Sequence, residues 1–344
     1  MMRIATYNVE WFDDLFDDAG RLIVDGSWSA RHNVTKEAQI EALAIVFTAL
    51  DADAVMVIEA PDTNRRRDTV KALEHFARSF DLRARNAVMG FANETQQELA
   101  LMYDPNVFAA AHDPIGPAPM AGAPSVQAAP RFDGTFRIDL DIDATEDKVV
   151  FSKPPLEVAL TVRKTGEVVR LIGAHLKSKA PHGANGHDEI MRLSIANRRK
   201  QLAQAIWLRT RVDEHLAAGE PMIVLGDLND GPGLDTYENL FGRSSVEILL
   251  GDGSTALYDP HATLALSRKL GPSPTTARFY ISQDEKYLQA LLDYIMVSPD
   301  LRARAERWRI WHPFDDPVCW KMPELHSALL TASDHFPVTL DIDL

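Results

Sequence analysis

Ile223-Val224-Leu225-Gly226-Asp227-Leu228-Asn229-Asp230 begins as a core strand and ends in a polar cluster. The apolar run from Met222 to Leu225 suits a buried strand, and Gly226 lets the backbone turn. Asp227 and Asn229 follow at i, i+2. Residues two apart on an extended segment point the same way, so a carboxylate and a carboxamide project together from the strand's end. An anionic proton acceptor beside a neutral amide suits a site that activates water and holds a polar oxygen. Asp, Asn and Gly are also ordinary turn formers, so this stretch takes its meaning from the rest of the chain.

Toward the N-terminus the same design recurs. Met2 to Val9 alternates as a strand and delivers Asn8 at its end. A polar loop over 13–33 follows, then a helix with Ile40, Leu43, Ala44, Phe47 and Leu50 on one face. Ala54 to Ile58 is a buried strand running straight into Glu59, a costly place for a carboxylate unless it is paired or on a metal. Asp62 to Arg78 has helical period, with Arg65-Arg66-Arg67 at its start as a solvated basic face. Gln97 to Tyr103 is a strand, residues 112–130 form a Pro/Ala/Gly-rich excursion, and Phe136 to Ile142 is a strand or hairpin arm. Leu156 to Arg163 and Val168 to His175 pair through Lys164-Thr165-Gly166-Glu167, the second strand ending in His175. His182 and His187 fit no zinc spacing with it and read as loop residues. A long Arg-rich helix, 188–218, stops at Gly219.

Beyond the opening stretch, residues 230–281 have weak periodicity and hold short elements plus a substrate-facing loop. Leu288 to Val297 reads as one strand with Asp293 set inside its apolar run. Trp308 to Pro337 is irregular and carries Trp311, His312, Trp320 and His326. Ser333-Asp334-His335 then precedes a final strand. The expected organisation is one domain over 1–344 with loop insertions near 104–135, 231–281 and 302–332.

The net charge, 36 − 50 = −14, argues against holding duplex DNA by bulk electrostatics, which draws on clustered Lys and Arg. It leaves room for an enzyme that meets phosphate at a local site. Cys319 is the only cysteine, so no intrachain disulfide forms. The chain starts without a signal-peptide pattern, and no apolar run reaches the roughly 20 residues of a membrane span. A soluble cytoplasmic protein is expected, with no obligate protein partner.

Six strands therefore supply Asn8, Glu59, His175, Asp227 with Asn229, Asp293, and Asp334 with His335. A shared site asks only that those strands lie side by side. Glu59, Asp334 and the amides of Asn8 and Asn229 are hard oxygen donors, suited to Mg²⁺ or Mn²⁺ rather than zinc. The two histidines suit an acid or a hydrogen-bond donor at developing charge.

In Thr6-Tyr7-Asn8-Val9, Ile58-Glu59, His175-Leu176-Lys177-Ser178, Gly226-Asp227-Leu228-Asn229, Leu292-Asp293-Tyr294-Ile295 and Ser333-Asp334-His335, the chain resembles the endonuclease/exonuclease/phosphatase superfamily, which includes deoxyribonuclease I. The resemblance implies a four-layer α/β/β/α sandwich, two packed mixed or antiparallel sheets with helices outside. It implies Glu59 as principal metal ligand, assisted by Asn8 and Asp334. Asp227 would prepare the attacking water, Asn229 would hold a phosphate oxygen, and His335, positioned by Asp293, would stabilise the phosphorus or leaving group. His175 would contact the scissile phosphate, Lys153 supplies a further phosphate contact, and Gln97 or Glu98 supports His175. Relatives often carry Gln before the metal-binding Glu, where this chain has Ile58.

The fold serves several substrates. The pattern is nearest to nuclease-type bacterial members, so a nucleic-acid phosphodiester is the expected substrate. A phospholipid or small phosphoester is the alternative, and a binding module without turnover the third reading. An interfacial lipid substrate would call for exposed rings, for which Trp308, Trp311, Phe314 and Trp320 are candidates, although burial is their more ordinary place.

Overall fold

The computed structural model describes all residues except 117–128, 140–146, 182, 184–185, 232–241, 268–272 and 282–284. His182 and parts of the 104–135 and 231–281 insertions thus lie outside the described residues.

Two sheets carry the molecule. The first contains β1 (Met2–Asn8), β2 (Ala54–Ala60), β3 (Asn86–Met89), β4 (Glu98–Tyr103) and two late strands, β14 (Ala305–Ile310) and β15 (Val338–Ile342), in the order β14-β15-β1-β2-β4-β3. The second contains β5 (Phe108–His112), β8 (Leu156–Val162), β9 (Val168–His175), β10 (Met222–Asp227) and β13 (Asp293–Val297), in the order β13-β10-β9-β8-β5. Each sheet has a parallel pair, β1 with β2 and β9 with β10, among antiparallel neighbours. Two hairpins stand apart: β6 (Phe136–Ile138) with β7 (Asp147–Val149), and β11 (Ala277–Ile281) with β12 (Lys286–Ala290).

Strand alternation sorts the side chains into layers. Ile4, Met56, Ile58, Leu99 and Leu101 meet Leu156, Val158, Leu171, Ile223, Leu225 and Ile295 between the sheets. Gly173 admits the close approach there, since a Cβ would fall 2.4 Å from the Met56 sulfur. The other face of the first sheet is covered by α1 (Lys36–Leu50), α2 (Thr69–Ser79) and, late in the chain, Pro323–Ala332. The second sheet is covered by α3 (His187–Ala217), α4 (Ser245–Leu250) and α5 (Pro260–Ser267). This is the α/β/β/α sandwich.

Several sequence expectations change. The helix expected from Asp62 begins only at Thr69, because Asp68 caps it by accepting from the Lys71 N–H at 3.0 Å. The segment before it folds back, and Arg67 is buried in ion pairs with Asp13 and Asp62 rather than solvated. The single strand expected over 288–297 is two, β12 and β13, which belong to different sheets. The irregular stretch expected over 308–337 holds the second half of β14, then α6 (Pro317–Lys321) and α7 (Pro323–Ala332). The rings there divide: Trp311 is buried and donates to Thr339 Oγ1 at 3.0 Å, while Phe314 and Trp320 are exposed.

Candidate active site

The site is the polar end of the core between the sheets. Asn8 continues the face of Ile4 in β1, Asp227 that of Ile223 and Leu225 in β10, His175 that of Leu171 in β9, and Asp293 that of Ile295 in β13. Register puts the last three abreast, with Asp227 opposite His175 on one side and Asp293 on the other. The apolar core simply runs out, and the next inward positions are polar.

Glu59 reaches the site differently. By alternation it would follow Val55 and Val57 toward the helices. A register shift between Ile58 and Ala60, with φ of +63° at Glu59, turns it instead; bulges of this kind re-aim side chains beside functional sites. Its Oε2 accepts from the Trp11 N–H at 2.9 Å, and its Oε1 lies 3.5 Å from Asn8 Nδ2 and 4.0 Å from His175 Nε2.

Asp227 is the hub. Its Oδ1 accepts from the Asn229 N–H at 2.7 Å, and its Oδ2 accepts from Asn8 Nδ2 at 3.1 Å and Asn229 Nδ2 at 3.2 Å. His175 Nε2 is 3.5 Å and His335 Nε2 3.9 Å from that same Oδ2. Gly226 makes this possible, because its φ is +135° and a Cβ would meet the Ala174 carbonyl oxygen at 2.1 Å. Burial, added to the nearby Asp293 charge, pushes the Asp227 carboxyl up to about 7.

The two histidines take opposite states. Burial, then Lys153 and His335, hold His175 well below its ordinary value, so it is neutral. Burial works in the same direction on His335, but the Asp293 carboxylate, whose Oδ2 is 2.8 Å from His335 Nδ1, outweighs it and raises His335 to about 10. His335 is a buried cation. Ser333 fixes it by accepting from the His335 N–H at 3.0 Å while donating to the Asn8 carbonyl at 2.8 Å. Phe279 closes against its ring at 5.5 Å between centroids.

Lys153 Nζ lies 3.0 Å from His175 Nε2 and donates to Gln97 Oε1 at 2.7 Å. Burial lowers its pKa. Of the two candidates beside it, Gln97 is therefore the one joined to the histidine. Glu98 is turned to Asn93, whose Nδ2 donates to it at 2.6 Å. Asp334 sits at the rim, its Oδ1 3.8 Å from His335 Nε2 and its N–H donating to Glu10 Oε2 at 2.8 Å. Glu10 also pairs with Arg31. Glu10, Arg31 and Phe279 were not singled out from sequence, and Ser333 entered only as part of Ser333-Asp334-His335.

Among the described residues, the metal-ligand types packed closely enough to share one ion are Asp227, Asp293 and His335, with ligating atoms within 4.8 Å of one another. A protonated His335 donates and has no lone pair to give, so that trio is an ion pair beside a carboxylate. Glu59 and Asp227, by contrast, converge on the Asn8 amide, and reversing its oxygen and nitrogen turns a donor into a hard ligand. Two carboxylates and an amide fit a hard divalent cation, and Asp293 Oδ1 is buried without a partner nearby.

No curated protein matches the sequence significantly. Solved structures do resemble the fold. An endonuclease/exonuclease/phosphatase family protein from Bacteroides thetaiotaomicron is similar at TM-score 0.52 and 16% identity, covering 100% of this chain and 98% of that one. A mannosyl-6-phosphatase from Bacteroides thetaiotaomicron VPI-5482 gives 0.50 and 14%, covering 100% of both chains. Truncated TDP2 from Caenorhabditis elegans gives 0.50 and 14%, covering 98% and 96%. The profile of the Endonuclease/Exonuclease/phosphatase family matches residues 5–335. The chain belongs to that family, and it is a metal-dependent phosphoesterase, a hydrolase.

Proposed function

We propose that this phosphoesterase hydrolyses nucleic-acid phosphodiesters with Mg²⁺ or Mn²⁺, by in-line attack of water. One observation carries the hydrolytic part of this reading. Asp227, poised at about 7, faces a His335 held cationic at about 10 across 3.9 Å. An acceptor and a donor with separated pKa values make an acid–base pair.

Asp227 takes the proton of the attacking water. Asn229 spends its amide hydrogens on Asp227 Oδ2 and on the Leu176 carbonyl at 3.0 Å, so it orients that carboxylate more than it holds phosphate. His335, kept charged by Asp293, donates to the phosphoryl oxygen or the leaving group. Neutral His175 and Lys153, braced by Gln97, hold a second phosphoryl oxygen. Glu59 and Asn8 would hold the cation, with Asp227 beside them and Asp334 completing the set from the rim; when bound it supplies Lewis-acid neutralisation of phosphoryl charge.

A phosphomonoester is the second reading, favoured by the fold likeness to a mannosyl-6-phosphatase. A panel separates the two: plasmid, single-stranded DNA, RNA, bis-p-nitrophenyl phosphate, sphingomyelin and p-nitrophenyl phosphate, each with Mg²⁺ or EDTA. Cleavage of the nucleic acids and the generic diester in Mg²⁺ alone is expected. Turnover of the monoester alone contradicts the proposal.

A further inference from the structure

The β11–β12 hairpin rises from the rim of the site. Ala277 bridges to His335, and the Arg278 N–H donates to the Asp334 carbonyl at 2.7 Å. Alternation gives the hairpin two faces. One sets Phe279 against His335. The other carries Arg278, Tyr280 and Tyr287, with Tyr280 and Tyr287 directly paired across the strands.

That second face continues into a strip of rings. Tyr280 and Tyr287 lie 5.2 Å apart, the Arg278 guanidinium sits 3.4 Å from the Tyr287 centroid and 5.5 Å from that of Phe314, and Phe314 lies 6.4 Å from Trp320. These rings are 47%, 52%, 40% and 59% exposed in the order Tyr280, Tyr287, Phe314, Trp320. Four neighbouring aromatics left this open beside an active site are an unfilled binding surface. At its inner end the Arg278 backbone is bonded to Asp334, whose own N–H donates to Glu10, so the strip is continuous with the catalytic rim.

We infer that this strip binds unpaired nucleobases flanking the scissile phosphate, which makes a single strand the preferred substrate; the inference rests on the nucleic-acid reading above. Every base has a π-face, and stacking on aromatic side chains or an Arg plane is how single strands are gripped without sequence preference. The −14 net charge works against a duplex held by its phosphates and matters less to stacked bases. Arg278 in the middle of the strip counts against acyl chains, because a guanidinium drawn into hydrocarbon is costly.

The test compares Tyr287→Ala, Trp320→Ala and Tyr287→Phe with the unaltered protein on a short single-stranded oligonucleotide, its duplex, and bis-p-nitrophenyl phosphate. Vesicles of sphingomyelin and phosphatidylcholine serve as a binding control. Expected is a rise of about tenfold in KM for the single strand in each alanine variant, the scale of one lost stacking contact. Tyr287→Phe should keep the original KM, and kcat/KM on the generic diester should not move in any variant. An unchanged single-strand KM in both alanine variants overturns the strip while leaving the nucleic-acid reading standing. Loss of vesicle binding with oligonucleotide kinetics intact assigns the strip to a lipid surface and overturns it too. Hydrolysis of the generic diester with no oligonucleotide cleaved at all brings down both.

Discussion

Asp227 and Asp230 lie three residues apart on the same strand exit, and both are buried. Asp230 is enclosed by cations and amides: Lys179 Nζ at 2.6 Å, Arg198 Nη1 at 2.8 Å and the Ser245 N–H at 2.7 Å. It ties α3 and α4 to the end of β10. Asp227 receives amides at 2.7–3.2 Å, while its cation, His335, stays 3.9 Å away. A buried carboxylate given its counter-charge at contact is structural. One held short of it is available for chemistry, and burial raises the Asp227 carboxyl to about 7 against the opposing pull of His335.

The largest effect expected from this contrast is on Asp227. Asp227→Asn should lower kcat by about 10³-fold, the scale of a lost general base, while melting no lower than the unaltered protein in EDTA, because it removes a poorly compensated buried charge. Steady-state kinetics with a thermal melt checks both halves. Asp230→Asn should do the reverse. Withdrawing the carboxylate shared by Lys179 and Arg198 should cost about 3 kcal/mol of stability, read by urea unfolding, with activity per folded molecule largely kept. If the two substitutions behaved alike, the distinction between these carboxylates would fail.

Gly226→Ala touches the carboxylates' common support. A Cβ 2.1 Å from the Ala174 oxygen at φ of +135° should cost about 2 kcal/mol or more and, by moving Asp227, lower kcat as well. The smallest effect belongs to a partly buried counterpart of Asp230, Asp316. Asp316 pairs with Arg309 Nε at 2.7 Å and caps α6. Burial would raise it, but the Arg309 contacts outweigh this and hold it at about 2. A depressed carboxylate contributes stability above its unfolded value and loses it as pH falls through its folded one, here from about 4 down to about 2. With solvent screening the contribution is on the order of 1 kcal/mol. Asp316→Ala should therefore lower Tm slightly at pH 7 and by progressively less as pH falls from about 4 through about 2, by calorimetry.

What the sequence disclosed follows the same physical line. Asn8, His175 and Asp227 were legible because they extend the period-2 pattern of apolar strands by one step. Glu59, a site candidate from its place at a strand's end, does lie 3.5 Å from Asn8 Nδ2, although its route there, a bulge, leaves no periodic trace. Asp293 was misplaced inside a strand that in fact begins with it, since Leu288 to Val297 is apolar enough to hide a change of sheet. Arg67 read as surface because ion pairing with Asp13, far back in the chain, is invisible to local pattern. Short helices in 317–332 went unseen because their starts are set by Pro317 and Pro323 rather than by period, and with them went the exposure of Trp320. The choice between Gln97 and Glu98 needed the position of Lys153.

The central claim is that these strand ends gather around one divalent cation. Mn²⁺ titration followed by electron paramagnetic resonance, on the unaltered protein and on Glu59→Gln, tests it most directly. A bound ion in the first, weakened by at least about tenfold in the second with unchanged thermal stability in EDTA, is the expected result. Equal Mn²⁺ affinity in both proteins, or none in either, would contradict it.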